Sequence, residues 1–193
     1  MSDLPDFEPS AARLGSLLPA AAQAELTTAT TCERYTLGEL LAHIVGLTAA
    51  FRASAEKEFG PLTDTDPNSA LPELTPGWKP QIDAQLSALV QAWQQDSAWS
   101  GMTRAGGVDL PAEVMGAVAL NEITVHGWDL ARTLGLGYEC DDETAQVCLG
   151  FVSQAAGQDG GPFGSPRPIA DDAPVFHRLL ALTGRDPSWA AGG

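Results

Sequence analysis

From Val114 to Ala131 the chain reads VMGAVALNEITVHGWDLA, an apolar run whose polar side chains are confined to Asn121, Glu122, Thr124, His126 and Asp129. A helix this apolar must be covered by other elements, so the run predicts the inner helix of a helical protein. Glu122 and His126 stand four residues apart, one above the other on a helix, and project together toward whatever packs there. A carboxylate left ionised and alone in such a place would cost on the order of several kcal/mol or be forced to take a proton. A divalent cation shared with the neighbouring imidazole satisfies both groups.

Helical periods recur elsewhere, and alternating strand patterns are largely missing. Phe7, Ala11, Leu14 and Leu18 predict a first helix that Pro19 ends. Thr36-Leu37-Gly38-Glu39 has the form of a capping box and predicts a second helix running to about Phe59. Gly60 to Pro80 holds Pro61, Pro67, Pro72, Pro76 and Pro80 and reads as a long crossover loop. Ile82, Leu86, Leu89, Val90 and Trp93 mark the inner face of a third helix, followed by an irregular stretch through Asp109. Pro111 suits the first turn of a fourth helix, the one carrying Glu122 and His126, which ends near Gly135 to Gly137. A fifth helix is expected from Asp141 to about Ala156, then a Gly/Pro-rich strip from Gly157 to Pro168, then a short helix around Val175 to Thr183. The expected architecture is all-α: a four-helix bundle with a long crossover loop and extra short C-terminal helices, forming one domain over residues 1–193.

The charge balance narrows the partners. Acidic residues outnumber basic ones 25 to 10, for a formal charge of −15, which disfavours a phosphate backbone or an anionic lipid surface. No apolar run approaches the roughly 20 residues of a membrane span. No nucleic acid and no membrane are therefore expected as partners. Cys32, Cys140 and Cys148 are odd in number and lack zinc-finger spacing, so the sequence suggests a reducing compartment, and a cytoplasmic location is the expectation.

A third ligand for the cation has two candidates. His43 lies between Leu40 and Leu47, which flank it at minus three and plus four on one helix face, so it points inward; His177, between Phe176 and Arg178, has polar surroundings and is expected at the surface. His43, Glu122 and His126 would make a two-histidine, one-carboxylate set that leaves coordination positions open, as catalytic sites require. Other readings of the same residues stand beside this one. An inward histidine is commonly a core residue donating to a carbonyl, and Asp129 with Arg132, three apart, suits an ordinary side-chain pair as well as a supporting or substrate-binding role. Trp93 and Trp128 read as core aromatics, and Cys32 as a small hydrophobe.

Several segments together resemble a known family: Thr31-Cys32-x-x-Tyr35-Thr36, Leu40-Leu41-x-His43-x-x-Gly46, Glu122-x-x-x-His126-Gly127-Trp128-Asp129-Leu130-Ala131, and the ending Leu179 to Pro187. The pattern resembles the DinB/YfiT-like metal-binding superfamily, in its actinobacterial branch related to mycothiol-dependent maleylpyruvate isomerase. The resemblance implies a DinB-like four-helix bundle binding a divalent ion through His43, Glu122 and His126, most simply Zn2+, with Ni2+ or Fe2+ as alternatives. It also implies mycothiol as cosubstrate, a small electrophile as second partner, and pairing into a homodimer. A thiol has a pKa of about 8.5, and a cation that lowers it holds nucleophilic sulfur at neutral pH. The implied activity is S-transfer or cis–trans isomerisation of the electrophile. The alternative is a non-catalytic metal-binding bundle with a binding or regulatory role. Asp129 and Arg132 are weaker candidates for orienting a ligand or binding an acidic substrate.

Overall fold

The structure, a computed structural model, describes residues 4–32, 35–66, 69, 73–155 and 163–189. In chain order it forms helices α1 (Glu8–Ala21) and α2 (Leu37–Glu56), a single turn α3 (Pro61–Asp64), and α4 (Trp78–Trp93). A 3-10 turn (Asp96–Trp99), strands β1 (Met102–Ala105) and β2 (Val108–Pro111), and helices α5 (Ala112–Thr133), α6 (Asp142–Ala155) and α7 (Val175–Leu182) follow. Both α1 and α2 pack on both α4 and α5, which closes a four-helix bundle; α6 lies on α5, and α7 on α6. The fold is the expected all-α one. Among the described residues no helix is long and apolar enough to cross a membrane.

The helix that carries His43 starts where its capping residues place it. The Glu39 amide donates to Thr36 Oγ1 at 3.4 Å, and the Thr36 amide donates to Glu39 Oε2 at 2.7 Å, so two otherwise orphaned amides are satisfied reciprocally. The helix stops at Glu56, short of Phe59, because Lys57 adopts the left-handed conformation (φ 60°) and Glu58 N–H returns to Ala53 O at 2.9 Å. Lys57 is held there by donating from Nζ to Ala98 O at 3.1 Å. At the end of α5, Leu136 N–H reaches Ala131 O at 2.8 Å and Gly135 N–H reaches Arg132 O at 3.0 Å, the paired bonds of a glycine-terminated helix.

Three expectations need correction. Pro19 does not end α1 but sits inside it. Its missing N–H falls in the last turn, so one bond is lost while Ala22 N–H still reaches Leu18 O at 3.0 Å. The crossover is shorter than Gly60 to Pro80: α3 occupies its start, and α4 already begins at Trp78. Pro80 is accommodated in the first turn of α4, where a backbone amide has no partner within the helix to lose. Third, the stretch before α5 is not irregular. Met102–Ala105 pairs antiparallel with Val108–Pro111 around Gly106 and Gly107, and Pro111 immediately precedes α5 rather than lying in its first turn. Both glycines have positive φ (60° and 77°), which suits the tight turn of a two-residue hairpin loop. The end of the fifth expected helix at Ala156, and the strip from Gly157 to Pro162, lie outside the described residues.

The core uses the expected apolar positions. Ile82, Leu86, Leu89, Val90 and Trp93 of α4 are all buried, as is Trp128 of α5. Where α1 and α4 meet the start of α5, Phe7 stacks on Trp93 with ring centres 5.5 Å apart, and Trp99 meets Trp93 edge-on at 4.9 Å.

Candidate metal centre

The apolar run folds as α5, and its polar residues divide by face. Thr124 turns to α1, where its hydroxyl lies 2.8 Å from Ser10 Oγ. Glu122, His126 and Asp129 fall at i, i+4 and i+7, which puts them in one row. His43 meets that row from α2, locked between the buried Leu40 and Leu47. Its ring stacks on Tyr35 with centres 5.1 Å apart and meets the His126 ring edge-on at 4.8 Å.

The structure thus brings together the three residues that the sequence singled out. Glu122 Oε2 lies 3.3 Å from His126 Nε2 and 3.7 Å from His43 Nε2, and one donor atom from each residue lies within 4.8 Å of the others. The cluster is buried at His126 and reaches solvent through Glu122, whose side chain is 25% exposed. Metal bonds of about 2.0–2.2 Å at tetrahedral angles put donors about 3.4 Å apart. Two imidazole nitrogens and a carboxylate gathered this closely are a donor set that fits a divalent cation.

The electrostatics favour positive charge at this point. Burial raises the Glu122 carboxyl, but His126 and His43 outweigh it and hold the group well below the usual carboxylate range. Burial lowers His126, yet Asp129 and Glu122 at its two nitrogens push it up to about 9. The pull on a proton between those carboxylates is also a pull on a metal cation, and the two compete for the same nitrogen.

Asp129 is fully buried, and four donors converge on it. His126 Nδ1 lies 2.9 Å from its Oδ2, Arg185 donates from one terminal nitrogen to Oδ2 at 2.8 Å and from Nε to Oδ1 at 3.2 Å, and Thr31 Oγ1 donates to Oδ1 at 2.5 Å. A carboxylate accepting Nδ1–H fixes that nitrogen as the donor and leaves Nε2, toward Glu122, as the nitrogen for which a proton and a metal cation compete. The expected pairing of Asp129 with Arg132 is not formed. Arg132 points elsewhere and donates to the carbonyl of Trp189. The partner the sequence reading missed is Arg185, just past α7 and 56 positions from Asp129. A signal for it was present: an inward carboxylate seven residues from Glu122 demands a cation, and the chain has only 10 basic residues to offer. His177 is exposed on α7, as expected. Cys32 is half-buried in the loop before α2.

A helical bundle with an inward His-Glu-His cluster, one imidazole of which is backed by a buried carboxylate, defines the class. The model of the mycothiol maleylpyruvate isomerase N-terminal domain matches residues 7–131, and the chain belongs to that family. Among curated proteins it is similar to an uncharacterized protein of Mycobacterium tuberculosis, recorded in two strains, at 24% identity over 165 residues, covering 81% of this chain and 82% of the relative. Among solved structures it is similar to a crystal structure of the mycothiol-dependent maleylpyruvate isomerase, with a TM-score of 0.52 at 18% identity, over 79% of this chain and 70% of that one. That likeness is one of fold.

Proposed function

We propose that this protein is a divalent-metal-dependent enzyme that activates a low-molecular-weight thiol, mycothiol, for S-transfer to a small electrophile or for its cis–trans isomerisation. The observation that carries this reading is the convergence of His43, Glu122 and His126 from two helices on one point within 4.8 Å. Family membership supports mycothiol as the thiol and isomerisation as the chemistry. A bound cation would contribute Lewis acidity, stabilising a thiolate at neutral pH.

The chain's own residues supply the rest. His43 and His126 present Nε2 atoms toward Glu122, and these three side chains would hold the cation, the single carboxylate offsetting one of its two charges. Asp129 holds His126 in the required tautomer. Tyr35 covers one face of His43 and shields it from water. In the isomerisation, the thiolate sulfur forms a C–S bond to an electron-poor alkene carbon as the π bond breaks and its pair moves onto the electron-withdrawing group; the resulting single bond rotates, and return of that pair re-forms the double bond and expels the thiolate.

The test is elemental analysis of the wild type and of His43→Ala, followed by calorimetry with mycothiol. Near-stoichiometric divalent metal is expected in the wild type, little in the variant, and thiol binding only to the loaded protein. Metal uptake without thiol affinity would replace the enzyme with a non-catalytic metal-binding protein, and no uptake at all would end the metal reading.

A further inference from the structure

The family match ends at Ala131, yet the carboxylate behind His126 is neutralised from a segment well beyond that point. Arg185 follows α7 directly and is fixed by its own backbone: its amide donates to Leu180 O at 2.9 Å, and a terminal guanidinium nitrogen donates to Thr183 O at 3.1 Å. Its other donors form a fork on both oxygens of Asp129. A paired fork of this kind fixes direction as well as charge. Four residues later, the Trp189 carbonyl accepts from Arg132 of α5, so the segment is pinned to that helix at two points. Only the first of them touches the site.

We propose that Arg185 is a positioning residue for the metal centre, acting through Asp129 to hold the His126 imidazole with Nε2 aimed at the cation position. This rests on the metal reading above. The physical reason is a count of donors at a buried carboxylate. With Arg185 in place, Asp129 is held in orientation by three bonds besides that to His126, so the imidazole meets a rigid acceptor. Without Arg185, two of those three are gone, and the carboxylate swings to satisfy itself with whatever donors remain. Residues that support a metal-ligating histidine in this way typically account for about 10–100-fold in metal affinity. The site is thereby built from both sides of the family boundary: three ligands and a supporting carboxylate from residues up to Asp129, and the group that fixes that carboxylate from the C-terminal segment.

The experiment measures the Zn2+ dissociation constant of the full chain by competition with a chromophoric chelator, with melting temperatures recorded in excess chelator. Arg185→Met, of similar length but without charge, is expected to weaken Zn2+ binding at least about tenfold at a temperature where circular dichroism shows the helices intact. Arg132→Met, which frees the Trp189 anchor and leaves Asp129 untouched, should bind Zn2+ within about twofold of the wild type. In the double variant Arg185→Met/Asp129→Asn, the amide oxygen still accepts from His126 and no buried charge is left unpaired, so part of the lost affinity should return. Should Arg185→Met fail to fold, Arg185→Lys replaces it and is expected to lose affinity because one ammonium cannot span both oxygens. A wild-type Zn2+ constant in a folded Arg185 variant would overturn the positioning role while leaving the metal reading standing. A wild type that takes up no Zn2+ would sink both.

Discussion

The two halves of α5 obey different rules. Near its start, Gly116 lies beneath Trp99 and Trp93, and what is allowed there is decided by volume: a Cβ would sit 2.3 Å from the Trp99 ring and 3.0 Å from Trp93. Two turns later the same helix carries Glu122, His126 and Asp129, and what is allowed is decided by charge, each group being satisfied by a named partner on another element or by its neighbour. Among the described residues Trp93 Nε1, on α4 beside this aromatic end, is buried without a hydrogen-bond partner, and so is Asn121 Oδ1 of α5 itself. The polar half has no such slack at Asp129. One orphaned N–H is a modest loss, whereas an unpaired charge in the same surroundings is not.

That contrast can be broken by substitution in each half. Asp129→Ala strands the Arg185 guanidinium and removes the acceptor for His126, and losing one partner of a buried ion pair costs about 3–5 kcal/mol. It should be the most damaging single substitution in α5, read as a fall in unfolding free energy by urea titration. Gly116→Ala forces the indole of Trp99 aside and should cost about 1–3 kcal/mol, the usual range for overpacking, with Zn2+ affinity unchanged. If Gly116→Ala proves the more destabilising of the two, charge pairing does not dominate the second half of the helix.

The same division explains what the sequence reveals and what it hides. Glu122 and His126 are legible because the helical period itself makes them neighbours, and His43 because Leu40 and Leu47 fix the face it occupies. Thr36 and Glu39 are legible because a cap is a local arrangement. Arg185 is hidden because nothing within a few residues of Asp129 indicates a partner 56 positions away, and Arg132, three residues on, offers a nearer candidate. The hairpin before α5 escapes for another reason. Its strands are four residues long, too short for an alternating pattern to register, although Gly106-Gly107 carries the loop signature. Pro19 and Pro80 mislead for different reasons: Pro80 falls in the first turn of α4, where no helical bond is lost, whereas Pro19 sits in the last turn of α1, where one bond is lost and the helix still runs on to Ala21.

A change confined to a cap sharpens the comparison further. Thr36→Ala removes the hydroxyl that accepts from the Glu39 amide at the start of α2, and such substitutions cost about 1 kcal/mol. Because His43 lies two turns inside that helix, the variant should lose stability without losing Zn2+, measured by thermal melting and chelator competition on one preparation. Loss of metal along with stability would show that the ligand geometry depends on the end of α2 and not only on the packing of Leu40 and Leu47.

The smallest effect concerns a carboxylate outside the centre. Asp141, ahead of α6, accepts from the Thr144 amide at 2.8 Å and from Arg13 at 3.1 Å. Burial, the largest single influence, raises its carboxyl, but the Thr144 bonds, its own backbone amide and Arg13 together outweigh it and leave the group below its ordinary value in the folded protein. A group whose folded value is depressed binds its proton more tightly when unfolded, so its contribution is complete above about pH 4 and drains away as the pH falls through the folded value. The melting temperature of the wild type should therefore exceed that of Asp141→Asn at neutral pH, and the gap should narrow as the pH falls below about 4. The half-exposed setting keeps that gap small, since solvent screens the Arg13 pair. A gap that stays constant from neutral pH down to about pH 3 would mean that Asp141 acts through shape and hydrogen bonding alone, the rule that governs the aromatic half of α5 and not the rule that governs Asp129.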